Sequence, residues 1–106
     1  MVTFEQFKQL DLRIARIVSC EDHPNADKLY ILTVETGTER RKIVAGMRQY
    51  YSKDELPGKQ IVIVSNLAPA TIRGARSEGM LLAAKDDKRL ALLVPEKEVS
   101  VGSPVS

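Results

Sequence analysis

The chain has 106 residues, 43% of them apolar and 28% charged, a balance that suits one globular domain and argues against a disordered chain or a membrane protein. Its apolar runs, Ile61–Val64 and Met80–Ala84 among them, are far below the roughly 20 residues a transmembrane helix requires, so they read as buried strands. Net charge is only +2 but uneven: residues 1–36 carry 4 basic and 6 acidic side chains, residues 37–76 carry 8 and 3, and residues 77–106 carry 4 and 5. A basic middle between slightly acidic ends makes a local attractive field without a strongly basic protein.

The N-terminus has no basic stretch followed by an apolar one, so no secretory signal is expected and the chain is placed in the cytoplasm. Cys20 is alone, which excludes an intramolecular disulfide or a cysteine zinc cluster and suits a small core residue.

Thr3-Phe4-Glu5-Gln6 has the spacing of a capping box and predicts a short helix to about Gln9, with Phe4, Phe7 and Leu10 on one side. Such a stripe must pack either on the rest of the domain or on a second subunit. Residues 12–20 read as a long strand whose apolar alternation changes phase, as a bulged strand does where it bends between two halves of a barrel. A turn over 21–27, holding His23 and Pro24, leads to a strand over 28–36 with Tyr30, Leu32 and Val34 inward. Gly37-Thr38-Glu39 connects it to a third strand over 40–45. Met47–Tyr51 reads as a helical turn, 52–59 as a polar loop and 60–67 as the most buried strand. After a loop containing Pro69 and Gly74 come strands over 79–84 and 89–94, both read as buried. The string predicts a single all-β domain over 1–106, a small closed barrel with a short N-terminal helix and a helical turn between strands three and four. The five-stranded oligonucleotide-binding (OB) fold is the nearest template, and an SH3-like barrel would give a similar string.

Catalytic chemistry finds little support. The single histidine, His23, lies in a proline-bearing turn, and no nucleophile-elbow glycine pattern surrounds a serine. Gly74 and Gly79 are not followed by the Gly-Lys-Ser of a phosphate-binding loop, and one histidine with one cysteine leaves no nitrogen or sulfur metal site. Asp54-Glu55 and Asp86-Asp87 sit in turns, where solvation explains them. The expectation is a binding module, not an enzyme, with no cofactor and no metal.

Three segments in order carry a resemblance: Leu10-Asp11-Leu12-Arg13-Ile14, then His23-Pro24-Asn25-Ala26-Asp27-Lys28-Leu29, then Ser65-Asn66-Leu67-Ala68-Pro69 leading to Ile72-Arg73-Gly74 and Ser77-Glu78-Gly79-Met80. Over essentially its whole length the chain resembles the tRNA-binding domain found free-standing as dimers, appended to methionyl-tRNA synthetases or forming their β-subunit, and in endothelial-monocyte-activating polypeptide. The resemblance implies an OB-fold, homodimerisation outside the barrel, recognition of tRNA shape and partnership with methionyl-tRNA synthetase. It also implies RNA contacts at Ser77 and Met80, with Asn66, Arg73 and Lys28 near the same face.

To these the residue chemistry adds Arg76, beside Ser77, and Arg40, Arg41 and Lys42, expected to face the same groove. Arg73 and Arg76 can each give phosphate two hydrogen bonds, Ser77 and Asn66 can reach phosphate or a 2′-hydroxyl, and Met80 offers an adaptable apolar contact. Glu78 is expected to pair with Arg76 or Lys85. The five aromatic residues leave few stacking platforms, which favours shape readout. Relatives often carry basic residues where this chain has Ala68, Ala70 and Thr71, so affinity is expected to be weaker or to depend on dimerisation. Phe4, Phe7, Val99, Val101 and Val105 are the candidate dimer interface. The numbering from Met1 favours a separate polypeptide. The alternatives are a dimerisation module of a synthetase and a CsaA-like peptide-binding export chaperone.

Overall fold

The computed structural model describes residues 1–106. A four-residue helix, α1 (Phe4–Phe7), starts at a complete capping box: the Thr3 hydroxyl accepts from the Gln6 amide, and the Gln6 side chain accepts from the Thr3 amide. β1 (Leu12–Asp22) follows, then β2 (Tyr30–Glu35), β3 (Arg40–Ala45) and β4 (Gln60–Val64), with a 3-10 turn at Lys53–Glu55. β5 (Ala70–Ile72) and β6 (Ala75–Ser77) form a hairpin, β7 (Met80–Leu81) rejoins the main sheet, β8 (Ala83–Lys85) and β9 (Leu90–Leu92) form a second hairpin, and β10 (Pro104–Val105) returns to β1.

The sheet order is β3-β2-β1-β4-β7. The sheet closes where the segment after β6 meets the free edge of β3: the Glu78 amide donates to the Lys42 carbonyl (2.8 Å), and the Val44 amide donates to the Ser77 hydroxyl (3.0 Å). The result is a nearly closed five-strand barrel of the OB type.

The bulge expected in β1 lies between Ile17 and Ser19. Before it, Ala15 and Ile17 face the main core while Leu12 and Ile14 face the opposite side, where a second cluster buries them; after it, Cys20 packs against the main core instead. β2 buries Tyr30, Leu32 and Val34 as its alternation requires. β4 is buried on both faces. Ile61 and Ile63 join the main core, and Val62 and Val64 form a second cluster with Leu12 and Ile14, roofed by Leu82 and Val105. The tail is stitched to the barrel by the Gln60 side-chain amide, which exchanges two hydrogen bonds with the Val99 backbone, and by the Gly102 amide, which donates to the Ile14 carbonyl.

Two expectations are corrected. The stretch 79–84 is not one buried strand: it breaks at Leu82, and Ala83 and Ala84 are exposed on the second hairpin, so the barrel core includes neither. On β9 only Leu92 is buried, and Leu93 and Val94 beyond it are exposed. Apolar composition identified the strands but not that the β8–β9 hairpin projects from the barrel. The loop expected around Gly74 is the β5–β6 hairpin, turned by two residues of positive φ, Arg73 (53°) and Gly74 (91°), as the tight I′ turn requires. No helix is long and apolar enough to cross a membrane.

Candidate nucleic-acid interface

The β1–β2 turn and the β5–β6 hairpin are joined by His23. Its ring is buried; Nδ1 accepts from the Asn25 amide (3.0 Å), and Nε2 lies 3.0 Å from the Ile72 carbonyl. A carbonyl has no proton to give, so the hydrogen of that bond sits on Nε2 while Nδ1 serves as the acceptor. The Arg73 guanidinium adds a bond to the Asn25 carbonyl (3.2 Å). The turn that carries Lys28 and the hairpin that carries Arg73 and Arg76 are therefore one unit.

The end of that hairpin is fixed on β3. The Ser77 hydroxyl accepts from Val44 and donates to the Gly79 carbonyl (3.1 Å). Gly79 has φ 130°, and a Cβ there would lie 3.0 Å from the Val64 carbonyl, so the chain passes too close to β4 for any side chain. These contacts deliver Met80 to the surface, 47% exposed, beside β3.

Strand alternation divides the three basic residues of β3. Arg40 and Lys42 point outward with Val44, whereas Arg41 shares the pleat face of Ile43 and Ala45. Lys28, Arg40, Lys42, Arg73 and Arg76 are exposed, and none has a carboxylate within 4.0 Å. Arg41 does not face the same groove: its guanidinium pairs with Glu39 and donates to the Ser65 carbonyl at the end of the barrel. Ser77 is 4% exposed with its hydroxyl engaged on both sides, so it presents nothing to solvent. Asn66 is exposed but occupied: its oxygen accepts from the Asp11 amide (2.8 Å) and its nitrogen donates to the Gln9 carbonyl (2.7 Å), clamping the link between α1 and β1. Beside it, the Ser65 hydroxyl donates to the Asp11 carboxylate (2.7 Å), and this bond, with the Arg13 guanidinium, holds the Asp11 carboxyl below the usual range. Glu78 pairs with neither Arg76 nor Lys85; the Lys85 ammonium instead sits 5.5 Å from the Tyr50 ring centre.

Of the candidate interface residues, Phe4 is 73% exposed and Phe7 and Val99 are also exposed, as is Leu10. Val101 is half-buried, and Val105 is spent within the chain, pairing with Leu12 and covering the second cluster. The histidine staple and the Tyr50–Lys85 contact escaped the sequence reading. The Arg73-Gly74 pair between two short β-prone stretches was the available signal for the hairpin, and with it for a partner of His23.

The family described as "Putative tRNA binding domain" matches residues 12–104. The chain belongs to this family. Over 104 residues the domain is 53% identical to the methionine–tRNA ligase of Thermococcus onnurineus (strain NA1), a match covering 98% of the chain and 14% of the ligase. It is 47% identical to the methionine–tRNA ligase of Thermotoga maritima, covering 99% of the chain and 17% of that ligase. The chain thus spans under a fifth of these curated relatives. Among solved structures, a methionyl-tRNA-synthetase-related protein from Pyrococcus horikoshii superposes with a TM-score of 0.93 at 30% identity, covering 100% of this chain and 98% of that one. The CsaA chaperone protein from Picrophilus torridus superposes with a TM-score of 0.92 at 29% identity, with both chains fully covered.

Proposed function

We propose that this tRNA-binding domain is a non-catalytic, structure-selective tRNA-binding module that acts as a cytoplasmic homodimer in partnership with methionyl-tRNA synthetase. The observation that carries the reading is that Lys28, Lys42, Arg73 and Arg76, all exposed and without carboxylate partners, stand on elements hydrogen-bonded to one another, next to the exposed Met80. Unpaired cations on one face give phosphates their contacts, and the arginines can bind them bidentately. Fixed loops suit the recognition of RNA shape, and the scarcity of exposed aromatic residues speaks against reading a run of unstacked bases.

On this reading Ser77, Asn66 and Arg41 position the surface and do not touch the RNA. Dimerisation is supported by Phe4 and Phe7, on a helix too short to stand alone, and Leu10 just beyond it, all of which the barrel leaves exposed. Two copies would double the phosphate contacts, offsetting the missing basic residues at Ala68, Ala70 and Thr71. Titration of the chain with tRNA transcripts at two salt concentrations tests the proposal; absence of binding at low salt contradicts it. The likeness to CsaA favours a second reading, a binder of extended peptides.

A further inference from the structure

We propose that an apolar socket within this face takes one unstacked nucleobase of the folded RNA, an inference that rests on the tRNA-binding reading and names what the site holds besides phosphate. The socket is a cavity of about 170 Å³ between Val44, Gly46 and Met47 on one side and Met80, Leu81 and Leu90 on the other. Its side chains offer no strong hydrogen-bonding group, so it accepts a flat apolar face without reading base identity.

Its surroundings favour a nucleotide. Lys85 stands directly opposite Leu90 in the β8–β9 register, with its ammonium over the Tyr50 ring. Lys42 lies on the Val44 face of β3, and the Lys28 carbonyl accepts from the Arg48 amide, which brings the Lys28 turn against the segment that holds Met47. Lys28, Lys42 and Lys85 have no carboxylate within 4.0 Å; Glu78 is the one acid on the segment between Arg76 and Met80. A base that enters such a hole carries a phosphate on either side, and a ring of unpaired cations around an apolar centre complements that arrangement. An apolar peptide side chain brings no such charge. An extended peptide would also need an open strand edge, and at this point the edge of β3 is already engaged, Lys42 by the Glu78 amide and Val44 by the Ser77 hydroxyl.

The test measures the whole chain against a tRNA transcript and a blunt RNA duplex of equal phosphate number over a salt series, for wild type, Met80→Lys and Val44→Phe. Circular dichroism melts check folding, and because Met80 is half-exposed its variant remains informative if Val44→Phe unfolds. Wild type should bind tRNA about tenfold tighter than duplex, within what one stacked base contributes. Both substitutions should weaken tRNA binding about tenfold and remove the preference, with the salt slope of Val44→Phe unchanged because no phosphate contact is lost. Tighter tRNA binding by Met80→Lys, as expected of a face that reads charge alone, would overturn the socket, as would a Val44→Phe variant that folds and keeps the preference. Equal binding of tRNA and duplex by wild type overturns both the socket and the structure-selective reading, whereas a tRNA preference that survives in both folded variants overturns the socket alone and leaves the tRNA-binding reading standing. No RNA binding by wild type at low salt overturns that reading itself.

Discussion

The ring nitrogen Nε2 of His23 donates to the carbonyl of Ile72 across 3.0 Å, joining two loops 49 residues apart in sequence. A histidine in a proline-bearing turn thereby sets the spacing between Lys28 and the arginines of the β5–β6 hairpin. His23→Asn keeps an acceptor for the Asn25 amide but cannot reach Ile72, whereas His23→Gln can reach Ile72 but loses the acceptor position. Each should lower stability in urea by about 1–3 kcal/mol, the cost of leaving a buried polar group unpaired. The Asn variant should also bind tRNA more weakly, because the hairpin is released. Wild-type affinity in His23→Asn would mean that the hairpin carries no RNA contact.

The two pleat faces of β3 predict different consequences for neighbouring arginines and lysines. Lys42→Ala and Arg76→Ala should each reduce the slope of log affinity against log salt by about 1, as loss of one phosphate contact does. Arg41→Ala should leave the slope unchanged and lower stability instead, since its guanidinium ties β3 to the Ser65 carbonyl and pairs with Glu39. Filter binding across a salt series distinguishes them.

Asn66 predicts an effect on assembly. Asn66→Ala removes both bonds that hold the segment between α1 and β1, so it should weaken self-association without changing the charge of the RNA face. Phe4→Ser with Phe7→Ser should give a monomer outright. Sedimentation equilibrium reads both, and a wild-type chain that is monomeric at all concentrations contradicts the proposed dimer.

Asp11 predicts acid sensitivity. The Ser65 hydroxyl, with Arg13, depresses its folded pKa below the unfolded value of about 3.9, so its contribution is present above that value and is lost as pH falls through the folded pKa. The stability gap between wild type and Asp11→Asn in urea should therefore be constant near neutrality and close below about pH 4.

Cys20 predicts inertness. Burial, reinforced by Asp22, pushes its thiol up to about 11. Alkylation at pH 8 should be about a hundredfold slower than for a free cysteine, because the thiolate is the reacting form.

Much of the barrel was legible in the sequence because its determinants are local. The alternation of Tyr30, Leu32 and Val34, the capping box at Thr3 and the phase change in β1 each act within a few residues. The second hairpin was misjudged because leucines and alanines mark a strand without saying which sheet it joins, and Ala83 and Ala84 are exposed for that reason. The site was less legible. Charge and family resemblance pointed to Lys28, Lys42, Arg73, Arg76 and Met80, which the fold brings to the surface. Ser77, Asn66 and Arg41 have the same chemistry on paper, and only tertiary hydrogen bonds reveal that theirs is already used. The socket is invisible in the sequence, since Val44, Met80 and Leu90 meet only when the barrel closes.

The most direct measurement is a filter-binding titration of wild-type chain with folded tRNA transcripts of several identities at about 50 and 200 mM salt. Binding in the micromolar class or weaker is expected at the lower concentration. Affinity should fall by at least about a hundredfold at the higher one, as the four phosphate contacts of one protomer, from Lys28, Lys42, Arg73 and Arg76, require, and further where both protomers engage one RNA. No binding at low salt, or binding indifferent to salt, would contradict the tRNA-binding function proposed for this face.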